Sequence, residues 1–151
     1  MGDLRSFFTE DDEKLILLAV QAAEAHTSGE IRVHIEQKAG QDPMRVARKA
    51  FESLGMRNTD LHNGVLLFLA PEDRKFVILG DDGINEKVPD DFWDKVKDVV
   101  LDHFRKNLFA VGLAEGIQLA GKQLSTFFPY QRDDVNELPN AISYADQGGA
   151  K

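Results

Sequence analysis

Cysteine is absent from this chain of 151 residues, which excludes disulfides, thiolate nucleophiles, Cys-type zinc sites and the cysteine-phosphatase mechanism together. Positive charge is also scarce: 18 Lys and Arg against 26 Asp and Glu leave a net charge of −8. A ligand held mainly by its phosphates needs clustered basic side chains, so nucleic acid is not an expected partner. Nowhere is there a run of about 18 apolar residues, the length that spans a bilayer, and no membrane insertion is expected. The N-terminal Met1-Gly-Asp-Leu-Arg-Ser6 has neither the basic start nor the apolar stretch of a signal peptide, which points to a cytoplasmic protein. What the chain does have is 42% hydrophobic content with 10 Phe, enough for one real core at about one domain's length. The excess acid leaves cations, basic protein partners or plain solubility as its reasons.

Thr9 followed by Glu10, Asp11, Asp12 and Glu13 is an N-cap with acid in the first turn, where the helix dipole favours it. A first helix is expected over 10–27, with Leu15, Leu18, Ala19, Ala22, Ala23 and His26 as its inner face. Glu30 to Glu36 alternates, Ile31, Val33 and Ile35 on one side and Arg32, His34 and Glu36 on the other, which reads as a strand with one face at least partly wet. Pro43 suits a first helical turn, Ala47, Ala50 and Phe51 continue it and Gly55 ends it. Gly64-Val-Leu-Leu-Phe-Leu-Ala70 is a continuous apolar run, the mark of a strand buried on both faces. Turn chemistry at Pro71 to Arg74 then leads into extended Lys75 to Gly80, so the two strands should form an antiparallel hairpin. A third helix is expected from Pro89 to near Asn107 and a fourth through Leu113, Ile117, Ala120 and Leu124, whose Gly112 and Gly116 permit close helix packing. From Pro129 onward the chain is polar, and an irregular tail (129–151) laid partly on the 7–128 domain is expected.

The order α-β-α-β-β-α-α gives an α/β fold, a small three-layer α/β/α sandwich with a mixed sheet whose central strand is 64–70. Strands one and two, joined through a helix, should be parallel, and strand three antiparallel to both. The end of strand three, Gly80-Asp81-Asp82-Gly83, then lies at the same sheet edge as Ser28-Gly29-Glu30 and Asp60-Leu-His-Asn63-Gly64. Glu30, Asp60, Asp81 and Asp82, with Asn63 as a neutral oxygen donor, are thereby brought together. Like charges so placed call for a cation, a raised pKa or splaying into water. Oxygen ligands without Cys or clustered His suit Ca²⁺ or Mg²⁺ rather than zinc. Acidic, Gly-rich turns also end many sheets with no ligand, and both readings stand at this point.

Other signals carry less. Asp81-Asp-Gly-Ile-Asn-Glu86 lacks the alternating acids and closing Glu of an EF-hand. Gly116 to Gln123 nearly spells a P-loop, but Gln stands where a Ser or Thr must bind Mg²⁺ and no strand precedes it. The four His are scattered, and His26 and His103 fall on apolar helix faces, where a core histidine is the plainer account. Asp133, Asp134, Asn136 and Glu137 in the tail form a second acidic group that no strand end fixes.

Four blocks in order, Thr27-Ser-Gly-Glu30-Ile-Arg-Val, Asn63-Gly-Val-Leu-Leu-Phe-Leu, Arg74-Lys-Phe-Val-Ile-Leu-Gly-Asp81-Asp-Gly83-Ile and Gly112-Leu-Ala-Glu-Gly-Ile117, resemble the TPM domain family. That family is named for a thylakoid lumen phosphatase, a photosystem repair protein and a nematode receptor modulator. The likeness runs over about 7–128, and Asn136-Glu-Leu-Pro-Asn140 with Ile142-Ser-Tyr144 looks like the tail of a short, single-domain bacterial branch. The resemblance implies a Rossmann-like sandwich, a divalent cation at an acidic cleft and, from the plant member, an acid phosphatase activity; Glu30 and Asp81 occupy matching positions. Many relatives are exported or membrane-tethered with a Gly-rich tail, which is not seen in this sequence. Three functions follow as expectations: a Ca²⁺ or Mg²⁺ binding module with a regulatory role, a phosphomonoesterase using the same cleft, or a module that binds a protein partner. Arg57, Lys87 and Arg32 are the nearby bases a phosphate would need.

Overall fold

In the computed structural model, residues 4–131 and 141–145 are described. Helix α1 (Glu10–Glu24) starts where the sequence places it. The Thr9 hydroxyl accepts the Asp12 amide at 3.0 Å and the Asp12 carboxylate accepts the Thr9 amide at 3.1 Å, a reciprocal capping box that satisfies two otherwise orphaned donors. Its buried residues are Ile16, Ala19, Val20 and Ala23, while Leu15 and Leu18 are exposed. The inner face is thus turned from the expected one. The uninterrupted apolar run 15–20 supports two adjacent stripes that share Ala19 and Ala23, and the one that carries Ile16 and Val20 is buried. At the shared Ala23, α5 (Phe109–Leu124) comes so close that a Cβ on Gly121 would stand 2.6 Å from that of Ala23. His26, expected on this face, lies beyond the helix end and is exposed.

Strands β1 (Glu30–Ile35), β2 (Gly64–Ala70), β3 (Lys75–Gly80) and β4 (Ser143–Tyr144) form one sheet in the order β3-β2-β1-β4. Strands β1 and β2 are parallel, with Glu30 beside Gly64, and β2 and β3 are antiparallel, with Val65 beside Gly80. This is the mixed sheet the sequence predicts, with one strand more: β4 pairs parallel to β1 at His34 and Ile35. Two residues are too short for a strand pattern to declare itself.

The sheet is covered on both faces. On one, Ile31, Val33, Ile35, Val65, Leu67, Leu69 and Ile78 pack with α1, α4 (Asp94–Arg105) and α5. On the other, Leu66, Phe68, Ala70 and Val77 pack with Ala47, Ala50 and Phe51 of α2 (Pro43–Ser53). Every residue of β2 is buried, as a run apolar on both faces requires. His34 on the second face of β1 is buried rather than wet; its Nδ1 meets Ser143 Oγ and its Nε2 meets Glu36 Oε2, both at 2.9 Å. Helices α4 and α5 cross closely, since a Cβ on Gly116 would fall 2.4 Å from Val100 Cγ2 and one on Gly112 2.7 Å from His103 Cβ. The close packing read from these two glycines is present. Among the described residues no helix is long and apolar enough to cross a membrane.

Candidate functional site

The strand register builds a row of three residues at one sheet end. Glu30 pairs with Gly64, the Glu30 amide donates to Asn63 O at 3.1 Å, and the Asp81 amide donates to Gly64 O at 2.9 Å. Because side chains alternate along a strand, Glu30, Gly64 and Asp81 share the face of Leu66, Phe68 and Val77, the face that α2 covers. Glu30 and Asp81 are both buried. Between them in the register stands Gly64, which contributes no side chain of its own to the space between the two strand ends.

Asp81 is also the N-cap of a short helix, α3 (Asp82–Asn85), which is not among the helices expected from the sequence. Its side chain is wholly shielded from solvent. One oxygen, Oδ1, accepts from Arg57 Nη1 and from the Asp82 amide, each at 2.8 Å. The other, Oδ2, is buried and has no hydrogen-bond partner; the His62 imidazole stands beside it, with Nδ1 at 3.5 Å. A buried carboxylate oxygen normally has a partner, because leaving it bare forfeits its hydration.

The loop that precedes β2 is tied to this helix. Asn63 is buried, its amide donates to Thr59 Oγ1 at 3.2 Å and its Nδ2 to Ser28 O at 3.1 Å. The carbonyls of Leu61 and His62 press on Gly83, where a Cβ would lie 2.2 and 2.5 Å from their oxygens. Only glycine permits that approach. His62 itself has φ of 50°, a conformation uncommon for a residue with a side chain.

The expected acidic cluster is therefore assembled in part. Glu30 and Asp81 share the buried row with the backbone of Asn63. Asp82 points outward, with Oδ2 3.4 Å from the same Arg57 Nη1, and Asp60 lies on the exposed loop. Among the described residues, no three His, Asp or Glu side chains are gathered so as to hold a metal ion; a cage of four carboxylates is not what the sheet edge makes. Asp133, Asp134, Asn136 and Glu137 lie outside the described residues.

Arg57 follows α2 and bridges three acids, with Nε 2.6 Å from Glu52 Oε2 and Nη1 at Asp81 and Asp82. Its guanidinium pKa is raised above the ordinary value, first by the hydrogen bond to Glu52 and then by the charges of Glu52, Asp81 and Asp82, which outweigh a desolvation that lowers it. Of the other bases named from the sequence, Lys87 sits 4.8 Å from the Phe128 ring centroid, and Arg32 lies on β1 with its pKa lowered by burial. Neither meets Asp81. Beside the acidic end, Arg48, Arg57, Leu79, Asp82 and Asn85 line an open cavity of about 260 Å³. No sequence motif announces the Arg57 contact, since the pair is separated by 24 positions.

Comparison with known proteins supports the fold and the family. The family model described as the TPM domain matches residues 1–123. The NMR structure of the BA42 protein from the psychrophilic bacterium Bizionia argentinensis is 46% identical, with a TM-score of 0.89 over 96% of this chain and 100% of that one. The N-terminal domain of the cg2496 protein from Corynebacterium glutamicum, at 16% identity and a TM-score of 0.62, aligns over 97% of this chain and 85% of its own. An N-terminal domain from P. gingivalis, at 22% and 0.66, aligns over 83% and 82%. These last two bear on the fold alone. No curated protein matches the chain.

Proposed function

Since the chain belongs to the TPM domain family, we propose that it is a divalent-cation binding module, with Ca²⁺ or Mg²⁺ held at the glycine gap between Glu30 and Asp81. The observation that carries this reading is Asp81 Oδ2, a buried carboxylate oxygen with no hydrogen-bond partner. The donor chemistry fits: carboxylates and backbone carbonyls without sulfur suit a hard cation. Glu30 and Asp81 would supply charge, and the loop carbonyls fixed by Gly83 and Asn63 neutral oxygens, with water completing the shell. Asp60 and Asp82, on the solvent side, would add to the attraction of the approaching ion. With so few charged ligands the affinity belongs in the weak range, about 10⁻⁴–10⁻³ M. The role of such a module is regulatory or structural, fixing the 59–64 loop against α3. Calcium at constant ionic strength should raise the Tm of the wild type and leave Asp81→Asn nearly unmoved. Equal shifts in both proteins would sink this reading.

A second reading, hydrolysis of a phosphomonoester, draws on the cavity that places Arg48 and Arg57 beside Asp82. Two guanidiniums supply the cationic cradle that an acidic cleft lacks, and a bound divalent cation would polarise a phosphoryl oxygen as a Lewis acid. Hydrolysis of p-nitrophenyl phosphate should then require calcium or magnesium and fail in the Asp81→Asn, Glu30→Gln double variant. Activity surviving there belongs to a contaminant.

A further inference from the structure

The cation reading leaves Arg57 unexplained, because a guanidinium already neutralises the carboxylate on which a cation would land. Nη1 is 2.8 Å from Asp81 Oδ1 and 3.4 Å from Asp82 Oδ2, while Nε is 2.6 Å from Glu52 Oε2. The Arg57 and Glu52 side chains are about half exposed, and Asp81 is not exposed at all. One end of the fork therefore stands in solvent on a partner of its own, and the other reaches into the buried site. Resting on the cation reading above, we propose that Arg57 is a tethered counter-ion of that site: it holds the cation-free state, and a divalent ion enters as Arg57 retreats onto Glu52.

A lone buried carboxylate is costly, so something must neutralise Asp81 when no metal is present, and Arg57 is placed to do it. A monovalent ion brings no more charge than the guanidinium and gains nothing by replacing it. A divalent ion brings twice the charge to Asp81 and Glu30, and Glu52 keeps the displaced guanidinium paired. Arg57 thus sets both the threshold of the site and its preference for divalent ions. The apparent affinity is the intrinsic one reduced by the fraction of time that Arg57 is away.

The test is a titration of the full chain with Ca²⁺, then with K⁺, at constant ionic strength, followed by amide NMR shifts of residues 60–64 and 80–85. Wild type, Arg57→Met, Arg57→Lys, Glu52→Gln and Asp81→Asn are compared. Arg57→Met should bind Ca²⁺ on the order of tenfold more tightly, the scale of one charge-assisted hydrogen bond, and Arg57→Lys, which keeps the charge and loses the fork, by less. Glu52→Gln removes the place of retreat and should bind about two- to threefold more weakly, on the scale of one exposed ion pair. In the wild type the Arg57 Nε–H resonance should move as calcium binds. Loss of packing alone does not tighten binding, so the opposite signs at Arg57 and Glu52 separate gating from a merely structural role. If Arg57→Met fails to fold without calcium, Arg57→Lys carries the comparison. Binding by the wild type, lost in Asp81→Asn and no tighter in either Arg57 variant, overturns the counter-ion and leaves the cation site standing. Absence of saturable shifts in the wild type and in both Arg57 variants overturns both.

Discussion

Gly83→Ala isolates the contact that joins the 59–64 loop to the acidic end of the sheet. The new methyl would lie 2.2 Å from Leu61 O and 2.5 Å from His62 O, and both obstacles are backbone, so no flexible side chain can move aside. Bringing the closer oxygen to van der Waals distance requires a displacement of roughly 1 Å. Overpacking of this kind costs about 1–3 kcal/mol. Against it stands the helix propensity of Ala over Gly, about 1 kcal/mol in an interior position and less in a helix as short as Asp82–Asn85. The balance is a loss of about 1–2 kcal/mol, or a Tm lower by about 2–8 °C for a chain of this size. Thermal and urea unfolding followed by circular dichroism measure it. A Tm equal to or above that of the wild type would mean that propensity decides and the loop contact is soft.

Other consequences are simpler to state. Thr9→Ala removes the capping box of α1 and should lower the unfolding free energy by about 1 kcal/mol in urea. Leu18→Lys, on a position 61% exposed, should change stability by no more than about 0.5 kcal/mol. Ile16→Lys, on a position wholly buried, should abolish cooperative thermal unfolding, because it places an unpaired charge in the core. The reverse ranking of these two would show that α1 presents the face first read from the sequence.

The elements with a single periodicity were legible. The alternation of β1, the all-apolar β2 and the turn at Pro71 to Arg74 determined strand type and direction, and from direction alone followed the meeting of Glu30, Gly64 and Asp81 at one end. Helix α1 was placed correctly and its inner face only in part: Ala19 and Ala23 are buried as expected, but Leu15 to Val20 is apolar at every position, so the pattern does not choose Ile16 and Val20 over Leu15 and Leu18. The site was legible as backbone and not as side chains. Topology brings strand ends together and puts Arg57 among the nearby bases, whereas exposure of Asp60, the outward turn of Asp82 and the pairing of Arg57 with Asp81 depend on three-dimensional placement that no spacing encodes. The N-cap role of Asp81 was within reach, since Asp before a short run of helix-permissive residues is a cap signal, but the glycines around it read more readily as loop. Strand β4 borrows its structure from β1 and has no pattern of its own.

The most direct measurement is a crystal structure of the protein grown in millimolar calcium, with the anomalous signal used to locate the ion. A peak is expected above Gly64, about 2.3–2.6 Å from Asp81 Oδ2, with Arg57 withdrawn to Glu52. A fully ordered site in which Asp81 still pairs with Arg57 and calcium is found only elsewhere would contradict it.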